Sequence, residues 1–187
     1  MPYSPEDPGV NMKEVGQIMS NAFLAFCAKY GRELRLWVEP GKFLVSESGT
    51  FLAETNVVKL DPVKTFVGIN TGLNHLIRPM MYGAYHYIFN ASNQDNSKQS
   101  AYRVSGYICE TDTFSFDFKG KENERLLNEV KEGDIIAMAN AGAYGFTMAS
   151  HYNSRFLPAE VLVDGGVARV IRRRETMEDL LKNQELS

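Results

Sequence analysis

The sequence is short of the residues that build disulfide or metal frameworks. Its 187 residues include only two cysteines, three histidines and one tryptophan. Cys27 and Cys109 match no disulfide framework or zinc spacing. The histidines, His75, His86 and His151, lack the spacing of metal ligands. We therefore expect no metal site and a reducing, cytoplasmic setting.

Long apolar runs and an excess of positive charge are also missing. No stretch approaches the ~20 apolar residues that cross a bilayer, and the opening MPYSPEDPGV lacks the cationic and apolar regions of a signal peptide. Lysine and arginine number 20 against 23 acidic residues, which gives a net charge of −3. The single basic run, at 172–174, is followed at once by acidic residues. We expect neither a membrane nor a nucleic-acid partner.

What the sequence does contain is enough apolar material, 44% of its residues, for one substantial core. Three prolines within residues 1–10 predict an exposed arm. Asn11 then begins a helix as its N-cap, with Glu14 three residues later and Gly31 as the stop signal. A short strand is predicted at 34–38. The first 43 residues therefore predict one αβ unit.

From residue 43 onward the pattern becomes that of strands. Apolar and β-branched residues alternate in short runs, and Asp164-Gly165-Gly166 predicts a hairpin turn. A polar loop is expected at 90–100, a short helix or loop at 121–130, and a C-terminal helix at 175–182. The predicted fold is mainly β, an antiparallel sandwich or barrel of about seven to nine strands over residues 44–187. The predicted strands are 43–46, 50–59, 65–70, 85–90, 101–109, 134–139, 159–163 and 168–172.

Four motifs concentrate polar and conformationally special residues. Glu39-Pro40-Gly41-Lys42 follows the predicted strand at 34–38, where either a plain exit turn or an active-site loop of an α/β barrel can lie. A second motif, LIRPMMYGAYH, spans residues 76–86. The Cys-Glu pair at 109–110 ends a predicted strand, where a cysteine can also be a small buried apolar residue. The fourth motif, NAGAYGFTMASHYNSR, starts at residue 140 and carries glycines on both sides of Tyr144.

These motifs together resemble the fold-type III pyridoxal-phosphate (PLP) decarboxylases, and within them the diaminopimelate decarboxylase group. The resemblance covers essentially the whole chain but only the C-terminal half of the family enzyme. It implies decarboxylation of meso-diaminopimelate to L-lysine and CO₂. Ornithine/arginine and carboxynorspermidine decarboxylases remain alternatives, as does a non-catalytic dimerisation or regulatory β module.

The resemblance also implies cofactor-binding roles. Glu39 would pair with the pyridine nitrogen of PLP, and the backbone amide of Gly41 would face its phosphate. Lys42 stands where the family has arginine, which keeps the charge and loses the bidentate fork. We expect Lys42 and Tyr144 to contact both cofactor and substrate.

Substrate-binding and catalytic roles follow in the same way. Arg78 would bind a substrate carboxylate through two hydrogen bonds, and Tyr82 would contact the same end of the substrate. Cys109 would donate a proton to the carbon that loses CO₂, and Glu110 would hold the distal ammonium.

Residues 1–43 match only the last helix and strand of the family's PLP-binding (β/α)₈ barrel, which takes roughly 250 residues. The Schiff-base lysine, the glycine-rich phosphate loop and the ring-stacking histidine have no counterpart here. We therefore expect weak or no PLP binding and no activity from the chain alone. We also expect either a homodimer or association with a separate barrel half.

Overall fold

The computed structural model describes residues 2–95 and 98–185, and it confirms the predicted mainly β fold. Eight strands are formed by these residues, with four helices between and around them. The polar loop predicted at 90–100 includes residues 96 and 97, which lie outside the described residues. The strands are β1 (Phe51–Leu60), β2 (Thr65–Ile69), β3 (Ile88–Asn90), β4 (Gln99–Ser105), β5 (Arg125–Asn128), β6 (Ile135–Met138), β7 (Glu160–Asp164) and β8 (Val167–Arg172).

Six of the strands form one sheet in the order β3-β6-β1-β2-β4-β5. All neighbours in it are antiparallel except β2 and β4, which run parallel. The two edge strands approach each other, so the sheet is a nearly closed barrel. Side chains bridge the seam: Asn90 Nδ2 donates to Glu129 O at 3.0 Å, and Asn128 Nδ2 donates to Asn93 O at 2.7 Å.

The core lies inside this barrel. Residues facing inward from different strands are completely or almost completely buried, because strand side chains alternate between the two faces of the sheet. Residues from the connecting segments complete the core. Its most buried members are Val67, Ile69, Leu76, Val104, Phe114, Ile136 and Met138.

The first helix, α1 (Met12–Tyr30), begins and ends where the sequence predicts. Asn11 Oδ1 accepts a hydrogen bond from the amide of Glu14 at 3.3 Å, and Gly31 ends the helix in the left-handed conformation. No residue of α1 is buried, and Ile18 and Leu24 are 61% and 65% exposed. The helix therefore presents an uncovered apolar surface.

The strand predicted at 34–38 is absent: these residues pair with none of the described strands. A parallel barrel strand is stabilised by hydrogen bonds to neighbouring strands, and no such neighbour is present beside this segment. The strand predicted at 43–46 is also wrong, because helix α2 (Gly41–Val45) and a 3-10 turn (Ser46–Ser48) occupy that stretch. The domain division at residue 43 stays a prediction.

Three other elements complete the described structure. Helix α3 (Arg78–Tyr82) is about one and a half turns long, and helix α4 (Met177–Leu181) is the last helix of the described residues. The β7–β8 hairpin stands apart from the six-stranded sheet and turns at Gly165 and Gly166, with φ of 55° and 81°. No helix in the described ranges is long and apolar enough to cross a membrane.

Candidate functional site

A cleft of about 480 Å³ opens where the N-terminal arm, α2 and α3 meet the sheet domain. Three of its lining residues are cations and, within the part of the chain that is described, none is a carboxylate. The cleft is therefore suited to a negatively charged ligand. The lining residues are Tyr3, Lys42, Ser46, Arg78, Tyr82, Gly83, Ala84, Tyr85, His86, Phe118, Lys119, Gly120 and Asn140.

Arg78 lies between two tyrosine rings. Its guanidinium carbon is 5.4 Å from the ring centre of Tyr82 and 5.6 Å from that of Tyr144. Each ring face attracts the cation, so the guanidinium is held in place without any acidic partner. Its hydrogen-bond donors stay available for an incoming anion.

The backbone around Arg78 is helical rather than extended, contrary to the usual effect of a following proline. Arg78 is the first residue of α3, and Pro79 sits in the first turn, where a missing N–H costs no helical hydrogen bond. Pro79 is buried, and the sulfur of Met80 accepts a hydrogen bond from the amide of Thr113 at 3.4 Å. These two contacts fix the direction in which Arg78 leaves the sheet domain.

Gly41 and Tyr144 are in direct contact. A Cβ atom on Gly41 would overlap the phenolic oxygen of Tyr144, so this position tolerates only glycine without a shift. Tyr144 itself has a left-handed backbone with φ of 61°. The two residues belong to distant motifs, and the fold brings them together at the cleft.

Lys42 follows directly in α2 and is half-buried. Its ammonium donates a hydrogen bond to the hydroxyl of Tyr3 at 3.0 Å and lies 5.6 Å from the centre of that ring. The arm that carries Tyr3 is attached to the motif at 140, because Asn140 Nδ2 donates to Pro2 O at 3.3 Å. Tyr3 and Asn140 therefore belong to the cleft, although the sequence analysis assigned a site role to neither.

The segment from 140 to 154 has an unusual backbone. Asn140, Tyr144, Asn153 and Ser154 are the non-glycine residues with positive φ in the described chain, and all four fall in this stretch. Each such residue costs of order 1 kcal/mol, which the surrounding contacts must offset. Such strain is concentrated at functional sites in proteins, and here it coincides with the fourth sequence motif.

Two glycines hold this segment against the turn that follows α2. Ala141 N donates to Gly49 O at 2.8 Å, and Gly142 N donates to Ser46 O at 3.0 Å. Gly49 and Gly142 lie so close that a Cβ on Gly49 would stand 2.6 Å from the Cα of Gly142. The backbone contact places Tyr144, two residues further on, beside Gly41.

Cys109 and Glu110 lie on a separate, exposed turn. The Asn153 amide nitrogen is 3.9 Å from the Cys109 sulfur, and Glu110 Oε1 accepts a hydrogen bond from the Thr111 amide at 3.3 Å. In the described structure neither residue hydrogen-bonds to a side chain of the cleft.

Asp112 braces this turn, although no site role was predicted for it. Its two carboxylate oxygens accept hydrogen bonds from the amides of Leu73 and Ile108 at 2.8 and 3.0 Å. Burial raises the pKa of the Asp112 carboxyl, and the two amide bonds oppose that rise. An aspartate three residues after the cysteine was visible in the sequence, but nothing there indicated that it faces inward.

Two buried histidines complete the surroundings. His75 Nε2 lies 2.9 Å from Phe156 O, which can only accept, so Nε2 carries the proton and Nδ1 accepts from Thr71 Oγ1 at 2.8 Å. By the same argument His86 donates from Nδ1 to Ala139 O at 2.9 Å. Burial, above all, lowers the pKa of both rings, so both are neutral structural residues.

Gly41, Lys42, Arg78, Tyr82 and Tyr144 thus come together, as a single site requires. Glu39, the remaining predicted cofactor residue, is exposed at the end of the segment before α2. Cys109 and Glu110 form the second, separate group.

Comparison with known proteins identifies relatives of this chain. Residues 42–142 match the family described as pyridoxal-dependent decarboxylase, C-terminal sheet domain. The diaminopimelate decarboxylase of Methanothermobacter thermautotrophicus is 38% identical over 100% of this chain and 42% of its own length. That of Escherichia coli K12 is 38% identical over 97% of this chain and 44% of its own length.

Solved structures of diaminopimelate decarboxylases also superpose on this chain. A diaminopimelate decarboxylase crystal structure superposes with a TM-score of 0.83 at 37% identity, covering 97% of this chain and 44% of the other. The M. jannaschii diaminopimelate decarboxylase, solved in complex with L-lysine, has a TM-score of 0.84 at 32% identity and covers 100% and 41%. The chain therefore spans less than half the length of these relatives.

Proposed function

Since the chain belongs to the pyridoxal-dependent decarboxylases, through their C-terminal sheet domain, we propose that it is the C-terminal part of a diaminopimelate decarboxylase. The reaction would remove CO₂ from meso-diaminopimelate and give L-lysine. The L-lysine bound to the M. jannaschii relative supports this product. Because the chain covers about 42–44% of the curated relatives, the activity belongs to the complete enzyme.

The position of Arg78 carries the proposal. Diaminopimelate differs from ornithine and lysine in its second carboxylate, and a guanidinium recognises a carboxylate through two parallel hydrogen bonds. Arg78 is held between Tyr82 and Tyr144 in a cleft lined by cations. It binds the distal carboxylate of the substrate, and the two tyrosines keep its plane fixed.

The same residues fit a cofactor that carries a phosphate. Gly41 has no Cβ and lies against the Tyr144 hydroxyl, while Lys42 supplies a positive charge next in the chain. These groups, with the amide of Gly41, would hold the phosphate of PLP, and the exposed carboxylate of Glu39 would pair with its ring nitrogen. When bound, PLP supplies the sink for the electron pair released with CO₂.

Cys109 and Glu110 act on the substrate of a second copy. Both are exposed on a turn that Asp112 braces from within, so they are free to reach another subunit. Cys109 donates a proton to the carbon that has lost CO₂, and Glu110 binds the distal ammonium. The working unit is therefore a homodimer in which each site takes residues from both chains.

The exposed apolar surface of the first 45 residues supports a larger assembly. Ile18, Leu24, Trp37 and Leu44 are between 61% and 82% exposed. Monomeric proteins rarely leave so many large apolar side chains uncovered in one region. The part of the curated relatives' length that this chain does not span would cover this surface in the complete enzyme.

A chimaeric enzyme tests the assignment. The N-terminal portion of the M. thermautotrophicus relative is joined to this chain, and kcat/KM is measured with meso-diaminopimelate, ornithine and lysine. We expect a strong preference for diaminopimelate. Arg78→Ala removes most of it, by about 10²-fold, because two charged hydrogen bonds are lost, whereas the exposed Arg169→Ala is the matched control.

Cys109→Ala distinguishes proton donation by Cys109 from substrate binding by Arg78. It lowers kcat more than it raises KM, because protonation follows substrate binding. Equal turnover of ornithine and diaminopimelate by the wild-type chimaera would overturn the diaminopimelate assignment in favour of a polyamine-type decarboxylase. A chimaera that folds, binds PLP and turns over none of these substrates would favour a non-catalytic β module.

A further inference from the structure

The N-terminal arm does not extend into solvent but is fastened across the cleft. The carboxylate of Asp7 accepts hydrogen bonds from the amides of Tyr3 and Gly9 at 2.9 and 2.8 Å, which folds the arm into a compact loop. Asn140 holds its other end through Pro2 O. These contacts place the half-buried Tyr3 in the lining of the cleft that also contains Arg78.

The contact between Tyr3 and Lys42 fixes which partner donates. A lysine ammonium has three donors and no acceptor, so at 3.0 Å Lys42 donates and the Tyr3 oxygen accepts. The hydroxyl proton of Tyr3 therefore remains to be donated elsewhere. No acceptor for it is found among the described residues, and an ammonium beside the oxygen makes that proton a stronger donor.

From this geometry we propose that Tyr3 is a ligand-binding residue of the cleft, whose hydroxyl donates a hydrogen bond to an anionic oxygen of a carboxylate or phosphate. The inference rests on the proposed function for the identity of the ligand. Lys42 and Tyr3 then act as one unit: the lysine contributes charge, and the tyrosine contributes a directed donor. A lysine alone lacks the planar fork of arginine, and the tyrosine hydroxyl supplies a second, fixed donor beside it.

A purely structural role for Tyr3 would depend on different parts of its side chain than ligand binding does. Packing of the arm uses the ring, whereas the hydroxyl makes both the hydrogen bond from Lys42, at 3.0 Å, and the ligand bond. Tyr3→Phe keeps the ring and removes only the oxygen. Tyr30→Phe is the matched control, because Tyr30 is 57% exposed on α1 and stacks on Phe26, away from the cleft lining.

The test is a binding titration of the 187-residue chain followed by amide chemical shifts of Gly83 and Gly120, which line the cleft. meso-Diaminopimelate and inorganic phosphate are titrated separately, which distinguishes a carboxylate from a phosphate ligand. Wild type, Tyr3→Phe, Tyr30→Phe and Arg78→Ala are compared at low ionic strength. We expect Tyr3→Phe to weaken binding of at least one anion about fivefold, the size of one lost hydrogen bond, with Tyr30→Phe unchanged.

The outcomes separate this inference from the proposed function. If Arg78→Ala weakens diaminopimelate binding and Tyr3→Phe weakens neither anion, the role of Tyr3 is overturned while the proposed substrate stands. If Tyr3→Phe weakens phosphate binding and the wild type does not bind diaminopimelate, Tyr3 is a phosphate ligand, and the chimaera decides the substrate independently. Binding of neither anion by the wild type also overturns the role of Tyr3, and the decarboxylase chimaera then decides the function independently.

Discussion

Replacing Gly142 with alanine should disrupt the close backbone contact between Gly142 and Gly49, which positions Tyr144. The new Cβ would stand 2.7 Å from Ser48 Oγ and 2.8 Å from the Gly49 nitrogen, and closer still to the Val45 carbonyl oxygen. Two of these three neighbours are backbone atoms, which cannot rotate away. The segment carrying Tyr144 must therefore move outward from the turn after α2.

The cost has two parts. Overpacking a tight contact costs about 1–3 kcal/mol. Separating the segments also weakens the Ala141–Gly49 and Gly142–Ser46 hydrogen bonds, each worth about 1 kcal/mol. We expect a loss of about 2–4 kcal/mol in the free energy of unfolding, or a decrease of about 1 M in the urea midpoint at ordinary m-values.

Urea unfolding followed by circular dichroism measures this loss. Fluorescence is a poor reporter here, because the single tryptophan, Trp37, is 82% exposed. The control is Gly16→Ala in α1, where a Cβ meets nothing within 4 Å and helix propensity favours alanine by about 1 kcal/mol. A urea midpoint for Gly142→Ala that is no lower than that of the wild type would refute the backbone-contact argument.

Three further perturbations test other parts of the structure. Burial lowers the pKa of His75 and His86. Their contribution to the free energy of unfolding is therefore present above about pH 6.5 and is lost as the pH falls through their folded-state pKa values. We expect the urea midpoint to fall on acidification, and to fall less steeply in His75→Gln. Asp112→Ala leaves the amides of Leu73 and Ile108 without their acceptor. We expect the free energy of unfolding to fall by about 2–3 kcal/mol and hydrogen exchange at these two amides to become faster. An unchanged exchange rate would contradict the bracing role. Mixing the chain with PLP and reducing with borohydride should give scattered surface labelling, and a stoichiometric adduct at one lysine, found by peptide mapping, would show that our expectation of weak PLP binding is wrong.

Local signals in the sequence predicted the elements that depend on local chemistry. The ends of α1 follow from Asn11 and Gly31, and the β7–β8 turn follows from the left-handed conformation that Gly165 and Gly166 adopt. The short helix or loop predicted at 121–130 is wrong, since β5 lies there. In β5 the charged Arg125 faces inward, 9% exposed, with its guanidinium carbon 4.1 Å from the ring centre of Tyr85, so the strand lacks the usual alternation of apolar and polar residues.

The residues of the cleft likewise fall into a predicted group and a group that depends on tertiary contacts. Resemblance placed Arg78, Tyr82 and Tyr144 in one site, and the structure brings them together across more than 60 residues of sequence. Tyr3 was missed because three nearby prolines predicted an exposed arm. Only the tertiary contacts of Lys42 and Asn140 fold that arm over the cleft, and such long-range contacts leave no local pattern.

The strand order has a consequence for synthesis on the ribosome. In the sheet β1 lies between β2, which follows it directly, and β6, whose Met138 pairs with Phe51. At roughly 5–20 residues per second, the segment between these partners takes about 4–17 s to emerge. During that interval the β6 side of β1 is an open strand edge, the kind of surface that pairs with other chains. Slow elongation of this chain therefore lengthens its exposure to misassembly before the six-stranded sheet can close.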